Sequence, residues 1–215
     1  MKQFILSVLL LTGVLLHATA QNIRFDTYSG YVFDDKVDSY YDANNYYNGK
    51  IKGGFHWGGG LEFMISSTKG VELKYLRQDL TAPMEYYKNG VKFKDFELGI
   101  NYLLIGGSNY FKTQGGKVEP YVGAGLGMAI INIKNPEPGG TSGATKFAWN
   151  LKGGTNIWAS KKIGVKLQGE LLSAVQAAGG GFYFGTGGGG AGITTYSSML
   201  QFALSGGLVC KLGGK

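Results

Sequence analysis

His56 is the residue of this chain best placed for proton transfer, because an imidazole changes charge near neutral pH. The second histidine, His17, falls in an N-terminal segment expected to be removed, so His56 stands alone in the mature chain. A catalytic histidine needs a nucleophile on one side and an orienting carboxylate on the other. No serine stands two residues from His56. It therefore reads as a histidine held by carboxylates of adjacent strands, not as a catalyst. Cys210 is the only cysteine and has no internal disulfide partner. The sequence holds no Cys/His spacing for zinc, no Asp-rich calcium loop and no Walker loop. Gly123-Ala124-Gly125-Leu126-Gly127 imitates a dinucleotide loop, but no helical pattern follows it. The expectation is a chain with no catalytic, cofactor-binding or metal-ligating residues and no nucleic-acid partner.

Two further groups are suited to binding. Tyr40, Tyr41, Tyr46, Tyr47, Tyr86 and Tyr87 offer amphipathic area at low entropic cost, for a sugar or a protein. They serve equally as interfacial girdling aromatics. The stretch 179–192, with Phe182, Tyr183 and Phe184 among its glycines, reads as a mobile outer loop.

The elements that must carry these residues are strands. Along residues 51–64, Ile51, Gly53, Phe55, Trp57, Gly59, Leu61 and Phe63 share one parity and bear no polar side chain. Lys52, Gly54, His56, Gly58, Gly60 and Glu62 share the other and bear every charge. Period 2 is the strand signature. A large apolar face opposite a glycine-rich polar one suits a strand with lipid outside and a narrow lumen inside.

Eight such strands are expected, after a secretory leader. Lys2 is a short n-region, Phe4 to Leu16 an apolar stretch, and Ala18-Thr19-Ala20 a cleavage signal, which places cleavage between Ala20 and Gln21. Residues 1–20 are the expected signal peptide and 21–215 a single barrel domain. The first strand runs from Ile23 to Phe33 and the second is 51–64. The third starts at Val71 with Glu72 and Lys74 inward. The fourth sets Phe96, Leu98, Ile100, Tyr102 and Leu104 outward against Asp95, Glu97, Gly99 and Asn101 inward. The fifth turns Val122 to Ile130 outward at alternate positions, with Glu119 and Tyr121 inward. The sixth to eighth turn Lys146, Asn150, Lys152, Asn156, Lys166, Gln168, Glu170, Gln201, Ser205 and Lys211 inward.

Connections alternate in length. Residues 34–50, 79–91, 132–145 and 174–197 are long; 65–70 and 159–164 are short, and 106–117 is intermediate. Long loops at one rim and short turns at the other are the asymmetry of an outer-membrane barrel, and an even strand count puts both termini at the short-turn side. A lipocalin-like calyx or exported sandwich would alternate the other way, aromatics inward and charges outward.

Charge follows from this parity. Asp26, Glu62, Glu72, Asp95, Glu97, Glu119 and Glu170 fall in the lumen, with Arg24, Lys52, Lys74, Lys146, Lys152, Lys166 and Lys211. Eight strands leave room only for side chains, so these ions pair or hold water. Lys69, Lys112, Lys117, Lys161, Lys162 and Lys215 remain as a basic rim at the short-turn side. They account for most of the formal net charge of +7.

Glu119-Pro120-Tyr121-Val122-Gly123-Ala124-Gly125-Leu126-Gly127 resembles the "PYxGxGxG" strand of the outer-membrane β-barrel domain family, which includes OmpA/OmpX-like and small porin-like barrels of Gram-negative bacteria. Phe147-Ala148-Trp149-Asn150-Leu151 with Gly153-Gly154 resembles its sixth strand. The resemblance covers the mature chain and implies an all-β, closed, eight-stranded antiparallel up-and-down transmembrane barrel in the cell outer membrane. It implies outer-membrane lipids and the barrel-assembly machinery as partners, and a possible extracellular ligand or protein at the long loops. Many such barrels end on an aromatic that the machinery reads, whereas this chain ends Cys210-Lys211-Leu212-Gly213-Gly214-Lys215. The expected role is structural or surface-interacting and non-enzymatic, with the lumen filled by ion pairs. The alternatives are a small channel for ions or solutes and a lipid A-modifying barrel enzyme.

Overall fold

The computed structural model describes residues 23–42, 45–87, 90–113, 115–134, 141–175, 182–183, 192–193 and 199–213. The expected signal peptide, its cleavage site and Lys215 lie outside the described residues. So does most of 179–192, Phe184 included; the side chains of the six loop tyrosines, Phe182 and Tyr183 are likewise not described.

Among the described residues every regular element is a strand: β1 (Ile23–Val32), β2 (Asp35–Asp42), β3 (Asn45–Ile51), β4 (Gly54–Met64), β5 (Lys69–Tyr87), β6 (Val91–Tyr110), β7 (Val118–Lys134), β8 (Thr141–Trp158), β9 (Ile163–Val175), β10 (Phe182–Tyr183), β11 (Gly192–Ile193) and β12 (Met199–Lys211). Eight of them close a barrel in the order β1, β4, β5, β6, β7, β8, β9, β12, and β1 pairs antiparallel with both β4 and β12. The strand count, the up-and-down order and the closure agree with the alternation of the sequence.

The register fixes the bore. His56 faces Gly30, Gly30 faces Ser205, Ser205 faces Gln168, Gln168 faces Gly154, and Gly154 faces Tyr121, which faces Tyr110. Tyr110 bonds the Thr68 carbonyl beside β5, whereas His56 itself faces Gln78 on β5. One circuit therefore ends ten positions from where it began. Such a stagger tilts the strands by roughly 35–45° and leaves an interior that side chains fill.

On β1, β4, β7, β8, β9 and β12 the two faces fall as the parity demands. Phe25, Trp57, Leu126, Leu151, Leu167 and Leu204 point outward and are exposed, while Asp26, His56, Asn156, Lys166 and Glu170 are buried inside. Short turns at 65–68, 111–117 and 159–162 share one end with Ile23 and Leu212, the latter bonded to the Ile23 carbonyl at 2.8 Å; the hairpins occupy the other.

Two departures are instructive. First, residues 51–64 are not one strand. Ile51 ends β3 and is buried, Lys52 is exposed, and β4 begins at Gly54. Asp34 makes the break: its carboxylate accepts from the Gly53 amide at 2.7 Å and from Lys50 Nζ at 2.8 Å. These two bonds hold Asp34 below the usual carboxylate range. Lys52 is thus no lumen cation, and Ile51 no outward residue.

Second, β6 is phased opposite to expectation. Phe96, Leu98, Ile100, Tyr102 and Leu104 are buried inside, and Leu103, Ile105 and Phe93 are exposed. Asp95 and Glu97 stand outside, Glu97 paired with Lys134 at 3.2 Å. The cause is a change of surroundings along each strand. Outward residues on β5 run Val71, Leu73, Tyr75 and then Arg77 and Asp79; on β7 they run Leu126, Met128, Ile130 and then Asn132. Where the outside turns polar, the inside turns apolar: Leu76 and Leu80 on β5, Ile131 and Ile133 on β7. Beyond the apolar band the barrel is built like a water-soluble sheet, polar outside and apolar within.

Nearly all the described residues of 34–50 and 79–91 are strand, not loop. β5 and β6 stay paired out to Tyr87 and Val91, and β2–β3 adds to the β5 edge through Tyr47 to Gly49. A four-stranded sheet, β2–β3–β5–β6, thus stands above the barrel.

Candidate functional site

The lumen is where the chain concentrates its chemistry. Nearest the short turns, the Arg24 guanidinium on β1 donates through both terminal nitrogens to Glu119 on β7, at 2.9 and 3.1 Å. β1 and β7 stand opposite each other in the barrel, so this bidentate pair crosses its full width. Tyr110 donates to Glu62 at 2.7 and 2.6 Å, and Asn156 donates to Glu119 at 3.0 Å. The Arg24 guanidinium lies 4.7 Å from the Tyr110 ring centre, and the Lys211 ammonium 4.0 Å from that of Trp158.

The next level is denser. Lys74 on β5 donates to both oxygens of Glu170 on β9 at 2.8 Å, again between opposite strands. Asn150 and Gln168 donate to the same carboxylate. Lys152 and Tyr28 converge on Glu72, and Lys166 reaches Asp26 at 2.7 Å. Tyr121 donates to Gln168 at 2.8 Å. Bifurcated, charge-assisted bonds of this kind are the strong ones, and they suit ions taken out of water. Glycine makes the room. A Cβ at Gly60 would collide with the Glu72 carboxylate and one at Gly70 with that of Glu62, so both positions hold their neighbours' acids.

Above the ions lies a neutral level. His56 faces Gln78 across β4 and β5, with Gly30 on its other side, and the register brings Tyr102 and Gln201 to the same height. All four are buried, and the polar side-chain atoms of these four residues find no protein partner. The expectation that neighbouring carboxylates hold His56 is not met: its cross-strand neighbours are an amide and a glycine. Higher still, Leu80, Phe96, Leu98, Ile100, Ile131, Ile133 and Met199 pack into an apolar cluster with Ile51.

Of the fourteen lumen charges expected, the structure places Asp26, Glu62, Glu72, Glu119 and Glu170 inside, with Arg24, Lys74, Lys146, Lys152, Lys166 and Lys211. Asp95, Glu97 and Lys52 lie outside, which leaves one more base than acid. Tyr110 and Trp158 join the network without having been singled out; Tyr110 lies on the β6 parity that the sequence reading assigned to the outside. Among the described residues no cluster of His, Cys, Asp and Glu is arranged to hold a metal ion.

Neither a protein-family model nor any curated protein matches this chain in sequence. Solved structures do. The chain is similar to neisserial surface protein A at 15% identity and a TM-score of 0.53, over 88% of this chain and 96% of that one. It is also similar to the outer membrane protein OprG of Pseudomonas aeruginosa at 10% identity and a TM-score of 0.57, over 89% of this chain and 96% of that one. With the closed β1 to β12 circuit, these likenesses make its fold that of the small eight-stranded outer-membrane barrels of Gram-negative bacteria.

Proposed function

We propose that the chain is an integral outer-membrane protein whose barrel is closed to solutes and which acts through its outer surface, not by catalysis. The observation that carries this reading is the pair of contacts across the bore, Arg24 to Glu119 and Lys74 to Glu170. A solute entering from the short-turn end would have to separate ions held at 2.8–2.9 Å in a poorly hydrated interior. One entering from the hairpin end meets the apolar cluster first.

Location follows from the outer wall. Phe55, Trp57, Leu73, Leu126, Leu151, Leu204 and Leu208 are each at least 50% exposed, on a band free of charge. A water-soluble protein rarely exposes so large a continuous apolar surface, and hydrocarbon removes the penalty. Outer-membrane lipids are therefore the first partner. The leader read at 1–20 would supply export, and the barrel-assembly machinery would insert the strands.

The part offered to the outside is the β2–β3–β5–β6 sheet, with Phe93 76% exposed on its β6 strand. It is the surface for an extracellular ligand or protein. Planar-bilayer recording of refolded protein tests the closed lumen. The expected result is no stable conductance. A reproducible conductance that changes in K74A would replace this reading with a channel, and an altered lipid A acyl pattern in expressing cells would replace it with an enzyme.

A further inference from the structure

At the inner mouth the ends of β1, β4, β7 and β12 and the turns beside them surround a pocket of about 300 Å3. Its polar lining is Arg24, Ser66, Ser67, Lys112, Glu119 and Lys211. Three cations thus face a single carboxylate. That carboxylate is already engaged, by both terminal nitrogens of Arg24 and by Asn156. Lys211 rests against the Trp158 ring, Lys112 is exposed on the 111–117 turn, and among the described residues neither forms an ion pair. Ser66 Oγ accepts from the Thr68 amide at 3.2 Å, which leaves its own proton to donate inward.

We propose that this pocket binds a phosphate-type oxyanion. Two ammonium groups and two hydroxyls approach from three separate segments, with the Arg24–Glu119 pair as the floor. A tetrahedral dianion offers acceptors in all of those directions, whereas a flat carboxylate would use only some of them. The neighbouring rim reinforces the field: the Lys211 amide bonds the Lys162 carbonyl at 2.8 Å, and the Trp158 amide bonds that of Lys117 at 2.7 Å, which brings two more lysines beside the mouth. The phosphate has two possible sources, a free anion of the periplasm or the headgroup of an inner-leaflet phospholipid. Ile23 and Met64 at the pocket edge are compatible with either. The inference rests on the mouth alone and is independent of whether the lumen conducts.

The test uses the full mature chain refolded in an amine-oxide detergent, which carries no phosphate. In one arm inorganic phosphate is titrated; in the other, a short-chain phosphatidylglycerol is added to the micelles. The readouts are the amide shifts of Ser66, Ser67, Lys112 and Lys211 and the 31P linewidth. Saturable shifts with inorganic phosphate identify a free-anion site, and saturable shifts with the lipid alone identify a headgroup site; either supports the proposal. K112Q/K211Q is expected to bind at least about tenfold more weakly. K36Q, which changes an exposed lysine on β2 at the opposite end of the barrel, should bind as the wild type does. Should the double variant not fold, K112Q on the exposed turn serves in its place. Absence of saturable shifts with both probes, or undiminished binding by the Lys112 variants, overturns the proposal.

Discussion

The ammonium of Lys74 lies 2.8 Å from both oxygens of Glu170 although β5 and β9 stand on opposite sides of the barrel. Neither strand touches the other through its backbone. The side chains alone span the bore, and each is almost fully buried. Their value therefore depends on being kept together. Removing one partner of a buried ion pair costs about 3–5 kcal/mol, largely because the other is left charged in a poor solvent. K74M is expected to lose stability on that scale in urea unfolding followed by tryptophan fluorescence. K74M/E170Q should recover much of the loss, since the glutamine still accepts from Asn150. Equal stability of the single and double variants would show that the two residues do not act as a pair.

The inverted phase of β6 can be checked directly. In a C210S background, E97C should react with a membrane-impermeant thiol reagent on intact cells, because Glu97 faces outward above the apolar band. L98C, whose parent side chain is 2% exposed within the apolar cluster, should be protected. Leu98→Ala is expected to cost about 2–5 kcal/mol, the usual range for emptying a core leucine. Rapid labelling of L98C together with a protected E97C would restore the phase first expected from the sequence.

How β6 was misphased shows what the sequence makes legible. Wherever one parity is polar and the other apolar, as from Arg24 to Tyr31 or from Lys146 to Ile157, the alternation names the face of nearly every residue. From Tyr102 to Ile105 both parities are apolar, and the acids that give the strand its polar parity, Asp95 and Glu97, stand beyond the band. Reading those acids as lumen residues extended a lipid rule into a part of the strand that meets water. The same assumption turned two long hairpins into loops. The ions of the lumen were legible as residues but not as pairs, since partners such as Arg24 and Glu119 meet across the barrel and their contact depends on the stagger. His56 was assigned to the right face, yet its neighbours followed from the register with Gln78, which no local pattern encodes.

That register bears on catalysis. Gln78 and Gly30, the two residues paired directly with His56, supply neither a carboxylate nor a hydroxyl. H56Q keeps a hydrogen-bonding side chain of similar length. It should fold, migrate on unboiled gels as the wild type does, and leave the host's lipid A acyl pattern unchanged by mass spectrometry. A lipid A modification present with wild-type protein and lost with H56Q would make His56 catalytic and the barrel an enzyme.

The basic rim is the last expectation open to measurement. Lys69, Lys112, Lys117, Lys161 and Lys162 are all exposed at the turn end, and none has an ion-pair partner among the described residues. A lysine near an anionic lipid surface contributes about 1 kcal/mol, and the effect decays within a Debye length. These lysines are expected to seat the barrel against anionic headgroups and fix its depth. To separate this from the pocket, Lys112 is left intact: K69Q/K117Q/K161Q/K162Q is refolded into vesicles of phosphatidylcholine with and without phosphatidylglycerol. The wild type should fold more completely when the anionic lipid is present, an advantage that fades in high salt, and the fourfold variant should gain little. If the wild type gains nothing, or the variant gains as much, the rim lysines serve only to keep the turns hydrated.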